Sequence, residues 1–401
     1  MTTFPAILVG GPPHSGKSIL IYSLTQALRQ AGIEHYVLRA CPDGEGDWSN
    51  EIDQKLAETI RVKGQFNSDF VQRMDGWLAK RHLPLLVDVG GQPNEEQAAM
   101  FARCTHAVLL VGRRADDPEA YGRSLSHWRQ LMAQQGVTII AELASELDGD
   151  NVLTAVSPII QGTLTGLNRG QTASGPAFDA LLQKINHLFA YPHGKLVRQH
   201  LALSPHELTL NLEALEEMWR IENSRWQPAH IPQLQAYLPE KQPLAVYGRT
   251  AAWLYAALAM HAHPAPFAQF DVRYGWVTPP ALTVVTGKTA VTRANWHAAL
   301  ISHPGYTELN MNLQGQLLDY DDAHALPIPA PPPDKGLILN GRLPLWLPTA
   351  IVRQLAPMVL WTAVYQPQLN AAVIIHSHTA THPVSHTIPF RPPKVTPNRQ
   401  S

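Results

Sequence analysis

The chain has 401 residues and only two cysteines, Cys41 and Cys104. Two thiols so far apart make neither a disulfide framework nor a zinc knuckle, both of which need sulfur ligands in closely spaced pairs. Charge is also sparse. Asp, Glu, Lys and Arg make up 16% of the residues, and their signs nearly cancel, to a formal net charge of −1. No global basic field therefore draws in duplex or other long nucleic acid, and a nucleotide ligand has to be short or gripped locally. No apolar run approaches the ~20 residues that a membrane helix requires. The start, Met1-Thr2-Thr3-Phe4-Pro5, lacks the charged and apolar regions of a secretion signal, so the expectation is a cytoplasmic protein without a membrane partner.

The length allows two or three domains. Up to about residue 190, strand-like runs (Ala6 to Val9, Tyr36 to Leu38, Leu85 to Val89, Ala107 to Val111, Val137 to Ala141) alternate with helix-like ones (Ser18 to Gln30, Asp117 to Gln134). That order predicts an α/β fold, a parallel sheet with helices on both faces. Tyr191-Pro192-His193-Gly194 reads as a linker, Pro327 to Pro333 as a proline-rich loop, and the polar, proline-rich end as a disordered tail. The boundaries so expected are 1–192, 193–290, 291–388 and a tail, 389–401.

Gly11-Pro12-Pro13-His14-Ser15-Gly16-Lys17-Ser18 fits G-x-x-x-x-G-K-[ST] in full, after an apolar strand and at the start of a helix. In such a P-loop, backbone N–H groups from Gly11 to Gly16, Ser15 among them, cradle the phosphates of ATP. Lys17 reaches the outer phosphates and the Ser18 hydroxyl binds magnesium. Asp88, at the end of an apolar strand and before Gly90-Gly91, stands where a second magnesium-holding carboxylate is needed. The loop Cys41-Pro42-Asp43-Gly44-Glu45-Gly46-Asp47-Trp48 follows the second strand, at the carboxyl edge of the sheet. Asp43 is the first candidate there for the base that activates a hydroxyl acceptor, and Glu45 the second. Arg113, Arg114 and Arg169 are candidate phosphate clamps. This half resembles a small P-loop kinase, of an AAA/kinase-like type, rather than an oligomeric unfolding ATPase.

The segment Gly248-Arg249-Thr250-Ala251-Ala252-Trp253-Leu254 recurs as Gly341-Arg342-Leu343-Pro344-Leu345-Trp346-Leu347, each copy after an apolar run. Both read as a strand that ends in Gly-Arg and turns into an apolar helix. Glycine permits close approach to a ligand, and arginine offers a rigid fork of donors to phosphate. Copy one continues to His263 and Phe270-Asp271-Val272-Arg273. Copy two continues to Val364-Tyr365-Gln366-Pro367-Gln368-Leu369 and Ala372-Val373-Ile374-Ile375-His376-Ser377-His378.

Taken together these elements, over residues ~200 to 388, resemble the CRISPR-associated ring nucleases of the Csx-three type, small α/β proteins that cut cyclic tetra-adenylate. The resemblance implies that His263, Asp271 and Arg273 match the family's catalytic histidine and Asp-x-Arg pair, and that Ser377 and His378 match its Ser-His element. Gly248, Arg249, Gly341, Arg342 and Ser377 are then ring-binding candidates. Each copy departs where the other conforms. Ala356, Gln366 and Gln368 stand in copy two for His263, Asp271 and Arg273, and copy one has only Trp276-Val277-Thr278-Pro279 where a Ser-His would fall. Because the family is reported to sandwich its ring between paired subunits, the expectation is two small α/β units forming a covalent pseudo-dimer within a homo-oligomer. The run His376, His378, His382, His386 also admits a metal site, with manganese an alternative to magnesium.

The expected function is a bifunctional enzyme that cuts cyclic tetra-adenylate and uses ATP to phosphorylate a hydroxyl, the 5′-hydroxyl of the linear oligoadenylate product being one acceptor. Two rival readings stand beside it: a cyclic-oligoadenylate sensor that regulates a P-loop ATPase, and a metabolite kinase with a structural C-terminal module.

Overall fold

The computed structural model describes residues 4–40, 68–91, 93–114, 117–168, 170–222, 225–313 and 318–392. Asp43, Glu45 and Arg169 lie outside the described residues. The chain forms two compact units, Met1–Arg198 with Val272–Gly275 and Gln199–Asp271 with Trp276–Ser401. Among the described residues, no helix is long and apolar enough to cross a membrane.

The first unit holds β1 (Ala6–Gly10), β2 (Tyr36–Ala40), β3 (Leu85–Val89), β4 (His106–Gly112), β5 (Thr138–Glu146), β6 (Val152–Ala155) and β7 (Ile160–Thr165). They form one sheet in the order β2-β3-β1-β4-β5-β7-β6. Its helices are α1 (Lys17–Gln30), α2 (Ser68–Ala79), α3 (Glu95–Met100), α4 (Pro118–Gln134), α5 (Pro176–Phe189) and α6 (His193–Leu201). Every residue of β1 is buried, as a strand covered on both faces requires. Its alternation feeds two cores. Ile7 and Val9 pack with Leu20, Leu24 and Leu28 of α1 and Phe178, Leu181 and Ile185 of α5. Ala6 and Leu8 pack on the other face with Met74 and Leu78 of α2 and Trp128 and Met132 of α4. Polar caps set the helix starts: Asn94 and Gln97 form a capping box on α3, and the Asp117 carboxylate accepts from the Ala120 N–H at the start of α4.

The sheet departs from the expected all-parallel pattern at one edge, where β6 returns antiparallel to β7. The Asp148-Gly149-Asp150-Asn151 turn precedes it, and its alternately exposed residues leave no apolar run to signal a strand.

The second unit holds a four-stranded sheet in the order β11-β10-β9-β8, built from β8 (Thr209–Asn211), β9 (Leu244–Tyr247), β10 (Phe267–Asp271) and β11 (Gly275–Val277). A seven-stranded sheet, β13-β14-β15-β17-β18-β19-β20, comprises β13 (Ala290–Arg293), β14 (Trp296–Ser302), β15 (Tyr306–Leu313), β17 (Gly336–Gly341), β18 (Trp361–Gln366), β19 (Ala371–Ser377) and β20 (Thr387–Pro389). A separate pair joins β12 (Thr283–Val285) to β16 (Pro327–Pro329). The stretch expected as a proline-rich loop thus begins as a strand. It has a single partner strand, β12, so its prolines withhold no ladder donor on the open side. At the other end, Phe390 is buried and its N–H donates to Asn370 O, so packing continues past the expected boundary at 388.

The helices here are α7 (Leu212–Trp219), α8 (His230–Tyr237), α9 (Ala252–Ala262) and α10 (Trp346–Leu355). Both Gly-Arg turns occupy the same place, between a strand and the helix that leads to its parallel neighbour: β9–α9–β10 and β17–α10–β18. Trp253 and Trp346, at matching positions, are fully buried. α9 is apolar around its whole circumference, as a helix buried on every side must be. Its alanines let it pack on α10, β18 and β19 as well as on its own sheet. Arg353 of α10 ties the two helices, donating to Ala259 O at 2.8 Å, Pro264 O at 3.2 Å and Ala265 O at 2.8 Å.

Gly336 opens β17 beneath an indole. A Cβ there would stand 2.0 Å from Cε2 of the buried Trp361. Gly336→Ala is expected to destabilise the second unit by about 1–3 kcal/mol through overpacking, read as a lower denaturant midpoint at unchanged slope.

Candidate functional site

In the first unit β3 lies directly beside β1, with Val9 opposite Asp88, so the acid and the loop after β1 emerge together. The Ser18 hydroxyl donates to Asp88 Oδ2 at 3.2 Å, and Asp88 is only 5% exposed. Lys17 Nζ donates to the carbonyls of Gly11 at 3.0 Å and Pro12 at 2.8 Å, and Ser15 Oγ donates to Pro12 O at 2.9 Å. The loop thereby wraps its lysine, and Gly16, at φ 86°, turns the chain into the first turn of α1. Gly91 has to be glycine, because a Cβ there would meet Pro13 N at 2.2 Å. Gly11, Ser15, Gly16, Lys17, Ser18 and Asp88 are thus brought together. Arg113 is engaged elsewhere, with Glu146 and with Thr163 Oγ1 at 3.0 Å, and Arg114 is exposed.

In the second unit the candidate residues gather at two opposite edges. At the carboxyl edge of β9 and β10, the Tyr255 hydroxyl donates to Gly248 O. Burial raises the Tyr255 pKa above its ordinary value, the acids Asp271, Glu213 and Glu216 add to the rise, and Arg249 opposes it. Arg249 and Asp271 therefore lie around one buried phenol. Gly248, at φ 105°, abuts protein: a Cβ would meet Glu213 N and Leu212 Cβ at 3.2 Å. Arg273 does not belong to this unit: it lies in the Val272–Gly275 segment of the first, its guanidinium 4.7 Å from the centre of the Tyr274 ring. At the corresponding edge of copy two, Arg342 is exposed and the Gln366 amide donates to Gln368.

His263 ends α9 at the other edge. Eleven residues of helix separate it from the Gly-Arg turn, a span of about 16 Å at 1.5 Å per residue. What it meets there comes from copy two. His376 Nε2 lies 3.3 Å from His378 Nε2, with the rings perpendicular. Burial and the neighbouring His378 and His263 push the His376 pKa down to about 4. Burial, then the cationic Arg353, lowers that of His263. Ser377 Oγ donates to Thr379 O at 2.9 Å, while the His378 N–H donates to Leu360 O at 2.9 Å. His263 thus lies close enough to His376 to act on its charge, while Asp271 and Arg249 are at the far end of α9. Ala356, which stands for His263 in copy two, is buried. No three His, Cys, Asp or Glu side chains among the described residues form a metal-holding group. Tyr255 and Arg353 were not singled out by sequence, where a tyrosine and an arginine in apolar helices read as packing.

Because the fold favours neutral His376, protons bind the unfolded chain first as pH falls. This contribution is present above pH 6.5 and is lost as pH falls from 6.5 toward about 4. Solvent still reaches the ring, so the loss is expected to be about 1 kcal/mol, or roughly 2–4 °C for a unit of this size. His376→Gln should flatten that part of the melting-temperature profile.

Residues 311–389 match the family described as CRISPR-associated protein (Cas_csx3). The matched segment includes Gly341, Arg342, His376, Ser377 and His378. The first Gly-Arg turn and the whole first unit lie outside it. No curated protein matches the chain.

Proposed function

We propose that the chain is a CRISPR-associated ring nuclease coupled to a kinase: the second unit cuts cyclic tetra-adenylate, and the first uses ATP to phosphorylate a hydroxyl of the linear product. The observation that carries this reading is the pairing of His376 with His378 inside a segment similar to a CRISPR-associated family, with His263, from outside that segment, close enough to help depress the His376 pKa. Ring cutting needs proton transfer at two oxygens. The ribose 2′-oxygen bonds to phosphorus, the P–O5′ bond breaks, and the 2′-hydroxyl proton is removed while the departing 5′-oxygen gains one. His376, kept neutral, holds His378 through Nε2, and His378 and His263 supply the base and the acid. The product carries a 2′,3′-cyclic phosphate and a free 5′-hydroxyl.

Arg249 follows β9 and Asp271 closes β10 at their carboxyl ends, so they serve a ring lying on the histidine edge only from a second copy. This supports a homo-oligomer as the working form. Developing phosphorane charge would meet Arg249 there.

In the first unit, the Ser18 hydroxyl and the Asp88 carboxylate are adjacent oxygen donors, which suits a small hard cation, and Lys17 stands ready to move from the loop carbonyls to a phosphate. Magnesium bound there would neutralise charge on the transferring phosphoryl group. The acceptor inference follows from the product: ring cutting creates the 5′-hydroxyl that a kinase can use.

The test is incubation of the full chain with cyclic tetra-adenylate, with and without Mg-ATP, followed by mass analysis of the products. Cutting in both samples and 5′-phosphate only with ATP is the expected result. Unchanged ring refutes the nuclease; cut product without 5′-phosphate refutes the coupling. Binding without cutting marks a sensor.

A further inference from the structure

We propose that the turn between β14 and β15 is a phosphate-ester site, in which His303, oriented by the buried carboxylate of Glu308, and Lys335 hold a nucleotide phosphate. Glu308 is 1% exposed. Its Oε1 accepts from Nδ2 of Asn310 at 2.9 Å and of Asn340 at 2.8 Å, two residues paired across β15 and β17, and its Oε2 lies 3.3 Å from His303 Nε2. The amides are neutral. Among the described residues, the only group bonded to this carboxylate that can carry positive charge is the imidazole.

A phosphate placed at Nδ1 would leave the ring between two anions, Glu308 on one side and the ligand on the other, and it would bind them as an imidazolium. An imidazolium donates from both nitrogens. Nε2 is committed to Glu308, and Nδ1 has no protein partner among the described residues. The His303 ring is stacked on Tyr306 at 4.7 Å and 16°, which fixes its plane, and its side chain is 31% exposed. Lys335 Nζ donates to Ser302 Oγ at 3.0 Å and His303 O at 3.4 Å, which leaves the ammonium a third donor. The titratable groups facing His303 are Glu308 and Tyr306 on β15 and Lys335 ahead of β17. The Lys335 ammonium and an imidazole backed by a carboxylate, on one turn, suit a phosphate dianion or diester.

The turn shares an edge with the histidine group. Gly336 N donates to Gly305 O at 3.4 Å, Leu360 N to Lys335 O at 3.1 Å and His378 N to Leu360 O at 2.9 Å, across neighbouring strands. An oligoadenylate leaving His378 would pass this turn. The inference rests on the proposed function only for that source of the phosphate; free phosphate has the same chemistry.

The experiment uses the full chain labelled with ¹³C at the histidine rings. It is titrated separately with inorganic phosphate and with 3′-AMP, against chloride at matched ionic strength, and the His303 signal is assigned by loss in His303→Gln. Both anions should move that signal and raise its titration midpoint, 3′-AMP more strongly, and Lys335→Ala should abolish the response. Glu308→Gln should weaken the response to both anions. If that variant does not fold, Lys335→Ala and His303→Gln still decide. A signal that neither anion moves overturns the site, and equal responses to both overturn the oligoadenylate source. A chain that leaves cyclic tetra-adenylate uncut but shows the shift overturns the proposed function and keeps the site.

Discussion

On the proposed kinase reading, Lys17→Ala is expected to lower ATP-dependent phosphorylation at least 10²-fold to 10³-fold while leaving ring cutting unchanged, because a P-loop lysine acts on charge that develops only in phosphoryl transfer. Its present partners explain why stability should suffer little. The ammonium holds two loop carbonyls, Gly11 O and Pro12 O, and such bonds contribute about 1 kcal/mol each. A melting temperature within a few degrees of the parent, alongside the kinetic loss, separates transition-state binding from unfolding. Lys17→Arg should not rescue, since the planar fork cannot replace a compact point charge inside an enclosed loop. Ser18→Ala should behave similarly but respond to raised magnesium if the proposed cation site exists, because it removes one of the two adjacent oxygens, Ser18 Oγ and Asp88 Oδ2, that such a cation would use. Phosphorylation within threefold of the parent in Lys17→Ala would show that the loop holds no reacting phosphate.

How far these positions were legible in the sequence depends on the distance over which each is determined. The strand, loop and helix from Ala6 to Gln30 are set by neighbours in sequence, and the apolar run, glycines and lysine announce them. Asp88 was legible because a carboxylate closing a buried strand has few other uses. The two Gly-Arg turns were visible for the same local reason. What spacing does not show is which edge a residue reaches. His263 and Asp271 lie eight residues apart, yet the chain crosses from one edge of the sheet to the other between them, because α9 ends at the start of β10. The strand at Pro327–Pro329 was hidden because prolines argue against strands unless an edge is open. Glu308 was hidden too. A glutamate between Thr307 and Leu309 reads as solvent-facing, and only the fold brings Asn340 and His303 to it.

His378→Ala and His263→Ala are each expected to slow cutting of cyclic tetra-adenylate by about 10²-fold to 10⁴-fold, the range for a positioned acid or base. If both act in one proton-transfer unit, the double variant should be little slower than the worse single one. His376→Gln should instead shift the pH–rate profile, because it removes the neutral ring whose Nε2 faces His378 at 3.3 Å. Asp271→Ala carries the sharper discrimination. Its carboxylate sits at the far end of α9 from His263, so it serves the same ring only from another copy. A mixture of His378→Ala chains with Asp271→Ala chains should then recover activity that neither shows alone, since some interfaces will pair an intact histidine edge with an intact Arg249–Asp271 edge. Recovery should rise with protein concentration, as assembly requires. A mixture no faster than the sum of its parts would mean that each chain cuts alone, and that Asp271 supports the fold around Tyr255 rather than the reaction.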